Sequence, residues 1–163
     1  MSALLPIRRR EVVAHARRWI GTPYHHQASR PDVGVDCIGL VRGVWRALYG
    51  VEPEVLPGYG RDWSEATGRE TLLEAARRHL VEIAPAAARP GDVLVFRYRP
   101  RAVAKHAGIV GEPVEVASAT SGQPDGRLTL IHAVEGSPVS EVALIGWWRR
   151  RIAAAFSYPG IID

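Results

Sequence analysis

The chain of 163 residues holds a single cysteine, Cys37. A lone thiol cannot form an internal disulfide, so a structural staple is excluded. The common zinc spacings are missing as well: there is no His-Glu-x-x-His, no Cys-x-x-Cys and no tight ligand cluster. A glycine-rich phosphate loop is also absent, so no metal and no cofactor is expected. No apolar run approaches the roughly 18 residues of a membrane span, and no membrane insertion is expected. The segment from Met1 to Arg10 is not a secretory signal, because its apolar stretch is short and the arginines follow it. The expectation is a chain made in the cytoplasm and kept reduced, which something else must carry if it acts outside the cell. Repeats and low-complexity tails are missing too.

What is present is ordinary for a soluble globular protein: 47% hydrophobic and 23% charged residues. The length suits one domain, taken as residues 1–163. The net charge is +4, with arginines clustered at Arg8–Arg10 and Arg149–Arg151. No nucleic-acid motif accompanies them, so no specific nucleic-acid partner is expected. The clusters read as solvated faces or a docking patch, with affinity for a polyanion such as a bacterial envelope as the other reading.

Hydrophobic spacing predicts a helix from Ile7 to Ile20, with Val12, Val13, Ala16, Trp19 and Ile20 inward, ended by Gly21-Thr22-Pro23. A loop from Tyr24 to Val35 leads into a second helix, Cys37 to Tyr49, closed by Gly50. Gly39, Gly43 and Ala47 form a small-residue stripe on it, which suggests the close approach of another backbone. Residues 51–63 read as a surface excursion, Ser64 to Leu80 as a third helix and Ala84 to Pro90 as a loop. The remainder reads as strands: Val93–Phe96, Lys105–Val110, Leu128–Val134, Ser140–Ile145 and Trp147–Phe156, in an antiparallel meander. Helices first and strands after indicate an α+β fold.

The lone cysteine is either a buried small hydrophobe or a nucleophile. Its position favours the second. A thiol in a helix's first turn meets free N–H groups and a partial positive charge, which favour the thiolate. Asp36 is a natural N-cap for that helix. A cysteine nucleophile also needs a base and an orienting group. Of six histidines, His15 and His79 sit in helices and read as surface residues. His106 opens a strand before the small residues Ala107 and Gly108, which would let the helix pack close. His132 shares parity with Leu128, Leu130 and Val134, and so faces the core. It is a candidate to accept the second ring N–H of His106 and fix its tautomer.

Five segments in order resemble the NlpC-type cysteine peptidases, which cut the peptide part of bacterial cell walls. They are Trp19–Tyr24, Asp36–Leu40, Arg89–Phe96, His106–Val110 and Ile131–Ala133. The resemblance implies a papain-like core, with N-terminal helices packed on an antiparallel sheet. It implies Cys37 as nucleophile, His106 as general base and acid, His132 as the third polar member, and Tyr24 in substrate binding or oxyanion stabilisation. The substrate implied is peptidoglycan, with the D-glutamyl–diaminopimelate bond as the one cut. Tyr24–Ser29, Val41–Arg46 and Ala104–His106 are similar to the phage-tail branch of the family, which includes the cell-wall peptidases of gene transfer agents. That likeness implies tail-tip or baseplate partners in a phage-like particle, and action in the envelope of a target cell. Two other roles fit the same residues: a structural tail component on a hydrolase fold, and a cross-link endopeptidase. A cysteine acyltransferase on a related fold also fits them. The chain differs from many members in having His25-His26-Gln27-Ala28 where they have two glycines. It also has longer stretches between Cys37 and His106, and between His106 and His132, the latter read as a hairpin around Gly122 to Gly126.

Overall fold

The computed structural model describes residues 5–54, 67–112 and 127–163. Most of the excursion at 51–63, the start of the third expected helix and the hairpin around 122–126 lie outside the described residues. Helix α1 spans Arg9–Arg17 and buries Val12, Val13 and Ala16. It stops earlier than the periodicity predicts. Gly21 adopts a positive φ of 90° and a turn replaces the last helical residues. That turn drives Trp19 into the core and leaves Ile20 43% exposed, a correction to its expected inward position.

A two-stranded antiparallel ribbon follows, β1 (Ser29–Arg30) with β2 (Gly34–Val35). Helix α2 then runs Cys37–Tyr49, the bounds that its spacing predicts. Its glycines answer to different neighbours. A Cβ on Gly39 would lie 2.0 Å from the Ala28 carbonyl oxygen, and one on Gly43 would lie 2.1 Å from the Trp19 ring. Backbone therefore approaches only the first, and Ala47 is exposed, outside any packing stripe. Helix α3 is Thr71–His79, with Leu72, Leu73 and Ala76 inward. Gly68, at φ 67°, and the non-helical Arg69 and Glu70 separate it from Thr67, which is helical, and the expected start at Ser64 lies outside the described residues.

The main sheet is antiparallel and ordered β3-β8-β4-β5-β6-β7. Its strands are β3 (Val81–Ile83), β4 (Val93–Phe96), β5 (His106–Gly111), β6 (Thr129–His132), β7 (Ser140–Ala143) and β8 (Ile152–Ser157). Only β4 to β7 form the expected meander. β8 returns across the sheet to pair with β4, and β3, unforeseen, pairs beyond it. Between β7 and β8 the segment Gly146–Arg149 is a short helix, α4, where a strand is expected. Among the described residues, no helix is long and apolar enough to cross a membrane.

Both faces of the sheet are buried. Val93, Val95, Ala107, Ile109 and Ile131 pack against α1 and α2 residues, including Val12, Ala16, Leu40 and Val44. Leu94, Phe96, Val110 and Leu130 face the other way, against Leu144 and Trp148. Strand alternation thus puts Ala107 toward the helices and Gly108 away from them. Gly108 makes room for Leu130 and His132 rather than for α2.

One buried carboxylate closes the molecule. Asp92, wholly buried, accepts hydrogen bonds from Arg9 Nη1 (2.8 Å), the Arg89 backbone N–H (2.8 Å) and Ser157 Oγ (2.5 Å). Part of the first arginine cluster is therefore structural. Removing one partner of such a pair strands the other charge, so Asp92→Ala should cost about 3–5 kcal/mol in urea unfolding. The two glycines give a second test. Alanine gains roughly 1 kcal/mol of helix propensity over glycine, whereas overpacking costs about 1–3 kcal/mol. The Ala28 backbone cannot yield as an indole edge can. Gly39→Ala should therefore be the more destabilising of the two, and equal unfolding midpoints would contradict this packing account.

Candidate active site

Three local structures converge at the start of α2. Asp36, its N-cap, accepts from the Gly39 N–H (2.7 Å) and the Gln27 N–H (2.8 Å), and His26 Nδ1 lies 4.0 Å away. Ser29 Oγ donates to the Gly39 carbonyl (2.6 Å). The loop after α1 is thereby fastened to the first turn of α2, and Cys37 is placed at the turn's tip.

A cavity of about 230 Å³ opens there. Cys37, His106, Tyr24 and Asp36 line it, together with Tyr98 and Lys105. The Cys37 thiol donates to the Lys105 carbonyl (3.8 Å), and the Ala107 N–H also points to the sulfur. The thiol thus sits against the opening backbone of β5, whose first residue is His106. His132 stands behind His106: His106 Nε2 and His132 Nδ1 are 2.9 Å apart. The second ring nitrogen of His106, Nδ1, takes no part in that bond. The structure thus brings Cys37, His106, Tyr24 and Asp36 to one cavity, and places His132 one hydrogen bond away.

The electrostatics differ from expectation. Burial pushes the Cys37 thiol up from 9.0 to about 12, and the Asp36 carboxylate adds to the rise. The N–H groups of Ala107, Ile38 and Cys37 pull the other way and lose. Magnitudes explain why. A helix N-terminus favours a nearby anion by about 0.3–2 kcal/mol, whereas taking an ion out of water costs several kcal/mol. Burial, followed by the neighbouring His132, lowers His106 from 6.5 to about 3. Burial lowers His132 to about 4. The pair rests as a neutral thiol beside neutral imidazoles, not as the thiolate that the helix start suggests.

Residues outside the expected set complete the surroundings. Tyr98 stacks on His106 (ring centroids 5.9 Å, 22°). Trp148 presents an edge-on contact to His132 (4.9 Å, 85°) and lies 5.4 Å from His106. Tyr98 continues the alternation of Leu94 and Phe96, so its side was readable from parity. Trp148 was not readable, because it reaches the histidines from α4, where a strand is expected. Among the described residues no group of three His, Cys, Asp or Glu side chains could hold a metal ion.

The family model of the NlpC/P60 family matches residues 21–154. A gamma-DL-glutamyl hydrolase of Bacillus subtilis (strain 168) is 33% identical over 99 residues, which cover 60% of this chain and 20% of that enzyme. The chain therefore spans only about a fifth of that relative's length. Among solved structures, the NlpC/p60 domain of the peptidoglycan hydrolase SagA matches with a TM-score of 0.56 at 23% identity, over 93% of this chain and 99% of that one. An NlpC/P60 family protein from Bacillus cereus ATCC 10987 matches with a TM-score of 0.62 at 16% identity, over 96% of this chain and 42% of that one. These likenesses establish a papain-like α+β architecture of the NlpC/P60 type.

The depressed histidines make stability pH-dependent. Below their ordinary value of 6.5 the unfolded chain binds protons that folded His106 and His132 do not. Stability therefore falls as pH drops from about 6.5 toward 4, and His132→Gln should flatten that slope in urea titrations. The raised thiol has its own signature. Alkylation of Cys37 by iodoacetamide should still be accelerating at pH 9, whereas a plateau from mildly acidic pH would reveal a preformed thiolate.

Proposed function

Because the chain belongs to the NlpC/P60 family, we propose that it is a cysteine peptidase of bacterial peptidoglycan, with Cys37 as nucleophile, His106 as general base and acid, and His132 as its positioning partner. The observation that carries this reading is the buried His106–His132 hydrogen bond behind a cavity that both His106 and the thiol at the helix start line. A structural role would not require two histidines to be buried and bonded to each other beside a cavity that the only cysteine lines.

The chemistry follows from the resting protonation. We assign the shared proton to His106 Nε2, which then donates to His132 Nδ1 and leaves the Nδ1 lone pair of His106 free to act as base. The thiol and the imidazole are neutral, so the proton leaves Sγ as the sulfur attacks the amide carbonyl. Contacts of this kind are loose without substrate and tighten in the complex. The oxyanion meets the Cys37 N–H and the Tyr24 hydroxyl, and one such donor contributes roughly 3 kcal/mol. The proton on His106 then passes to the leaving amine, and water releases the acyl-enzyme.

The bond we favour is that between D-glutamate and diaminopimelate. The name of the Bacillus subtilis relative, a gamma-DL-glutamyl hydrolase, supports a γ-glutamyl substrate. The similarity of Tyr24–Ser29, Val41–Arg46 and Ala104–His106 to the phage-tail branch supports delivery by a phage-like tail, with tail-tip or baseplate proteins as neighbours.

Purified peptidoglycan is the test substrate. Cys37→Ala should lower its digestion by roughly a thousandfold or more, and undiminished release of fragments would sink the peptidase reading. His132→Ala should lose less, with partial recovery in His132→Gln, which restores a hydrogen-bond partner for His106. Fragment masses identify the bond: stems severed after D-glutamate support the favoured bond, and opened cross-bridges would replace it with the cross-link. Detection of the chain in purified tail particles tests the delivery.

A further inference from the structure

A second cavity, of about 310 Å³, adjoins the catalytic one. Tyr98 lines both and so forms a shared wall. The other lining is cationic: Arg97 and Arg99 from the segment after β4, Arg150 and Arg151 from the segment before β8. The pairing of β4 with β8 brings these two arginine groups together, although they are far apart in sequence.

Their charges are only partly neutralised. Arg97 pairs with Glu70 and donates to the Ala102 carbonyl. Arg151 is held by stacking, its guanidinium 3.8 Å above the Trp147 ring, with Nη1 donating to the Trp147 carbonyl. Among the described residues no carboxylate pairs with Arg99, Arg150 or Arg151, and Arg99 and Arg150 are exposed. Several like charges around one concavity repel one another, and an anion would relieve that repulsion. Guanidinium forks suit planar carboxylates.

We infer that this arginine-lined cavity is a substrate subsite for a free carboxylate of the wall peptide, an inference that rests on the peptidase reading above. In a γ-linked D-glutamyl residue the α-carboxyl takes no part in the peptide bond, so wherever it is not amidated it is a free carboxylate close to the scissile carbonyl. A cationic cavity that shares a wall with the thiol's cavity is placed to hold it. The site then distinguishes a free α-carboxylate from an α-carboxamide, which has the same shape without the charge.

Two synthetic stem peptides, identical except for α-carboxylate or α-carboxamide on the γ-linked D-glutamate, test this. The wild-type KM should be lower for the carboxylate by about tenfold or more, the effect of one charged hydrogen bond. Cys37→Ala protein should bind the two peptides with the same preference in calorimetry. Arg99→Gln/Arg150→Gln should bring the ratio of the two KM values close to one, and either single variant should move it the same way if the double variant does not fold. Equal KM values and equal affinities in the wild-type background would overturn the subsite, as would a double variant that weakens both peptides alike. If neither peptide is cleaved, the Cys37→Ala affinities decide. A carboxylate preference then upholds the subsite while removing the proposed cleavage, and no preference overturns it.

Discussion

The buried carboxylate of Asp36 holds the site together. It ends the loop after α1 by accepting the Gln27 N–H, and begins α2 by accepting the Gly39 N–H. A cap contributes about 1 kcal/mol to a helix, but this one also determines position. The glycine at 39 is what lets the Ala28 carbonyl come in beside it. With loop and helix fixed to each other, Cys37 has one place to go, against the first residues of β5. The same charge opposes a resting thiolate. Position and reactivity are thus in tension at one side chain.

The second constraint is the sheet, buried on both faces. Helices α1 and α2 cover one side, while Leu144 and the α4 residue Trp148 cover the other. The thiol approaches β5 from the helix side. By strand alternation His106 and His132 belong to the opposite side, among Phe96, Tyr98 and Trp148. The two halves of the chemistry meet only where β5 begins and the sheet offers an end to reach around. Buried among these rings, the histidines are desolvated, and burial holds both below their ordinary value.

Much of this was legible in the sequence where the signal is local. Helix α2 keeps its predicted bounds because its cap, its apolar stripe and its closing glycine all lie within it. β4 and β5 are readable as strands from their apolar runs. Their neighbours were less so, because the return of β8 to β4 depends on pairings distant in sequence. The short edge strand β3 has too few residues for a periodicity. Ile20 was misplaced because one positive-φ glycine redirected the chain after α1. At the site, the identities of Cys37, His106, His132, Tyr24 and Asp36 could be singled out from motif and order. Their electrostatics could not, since the burial that governs the thiol exists only once the fold is assembled.

Trp148 gives the relay an optical consequence. Its indole edge lies 4.9 Å from His132, and its ring lies 5.4 Å from His106. A protonated imidazole in contact with an indole quenches its fluorescence, while a neutral one does so far less. The indole thus acts as a built-in emitter beside the two imidazoles. Its share of the emission of the five tryptophans follows the protonation of the two imidazoles, with no label added.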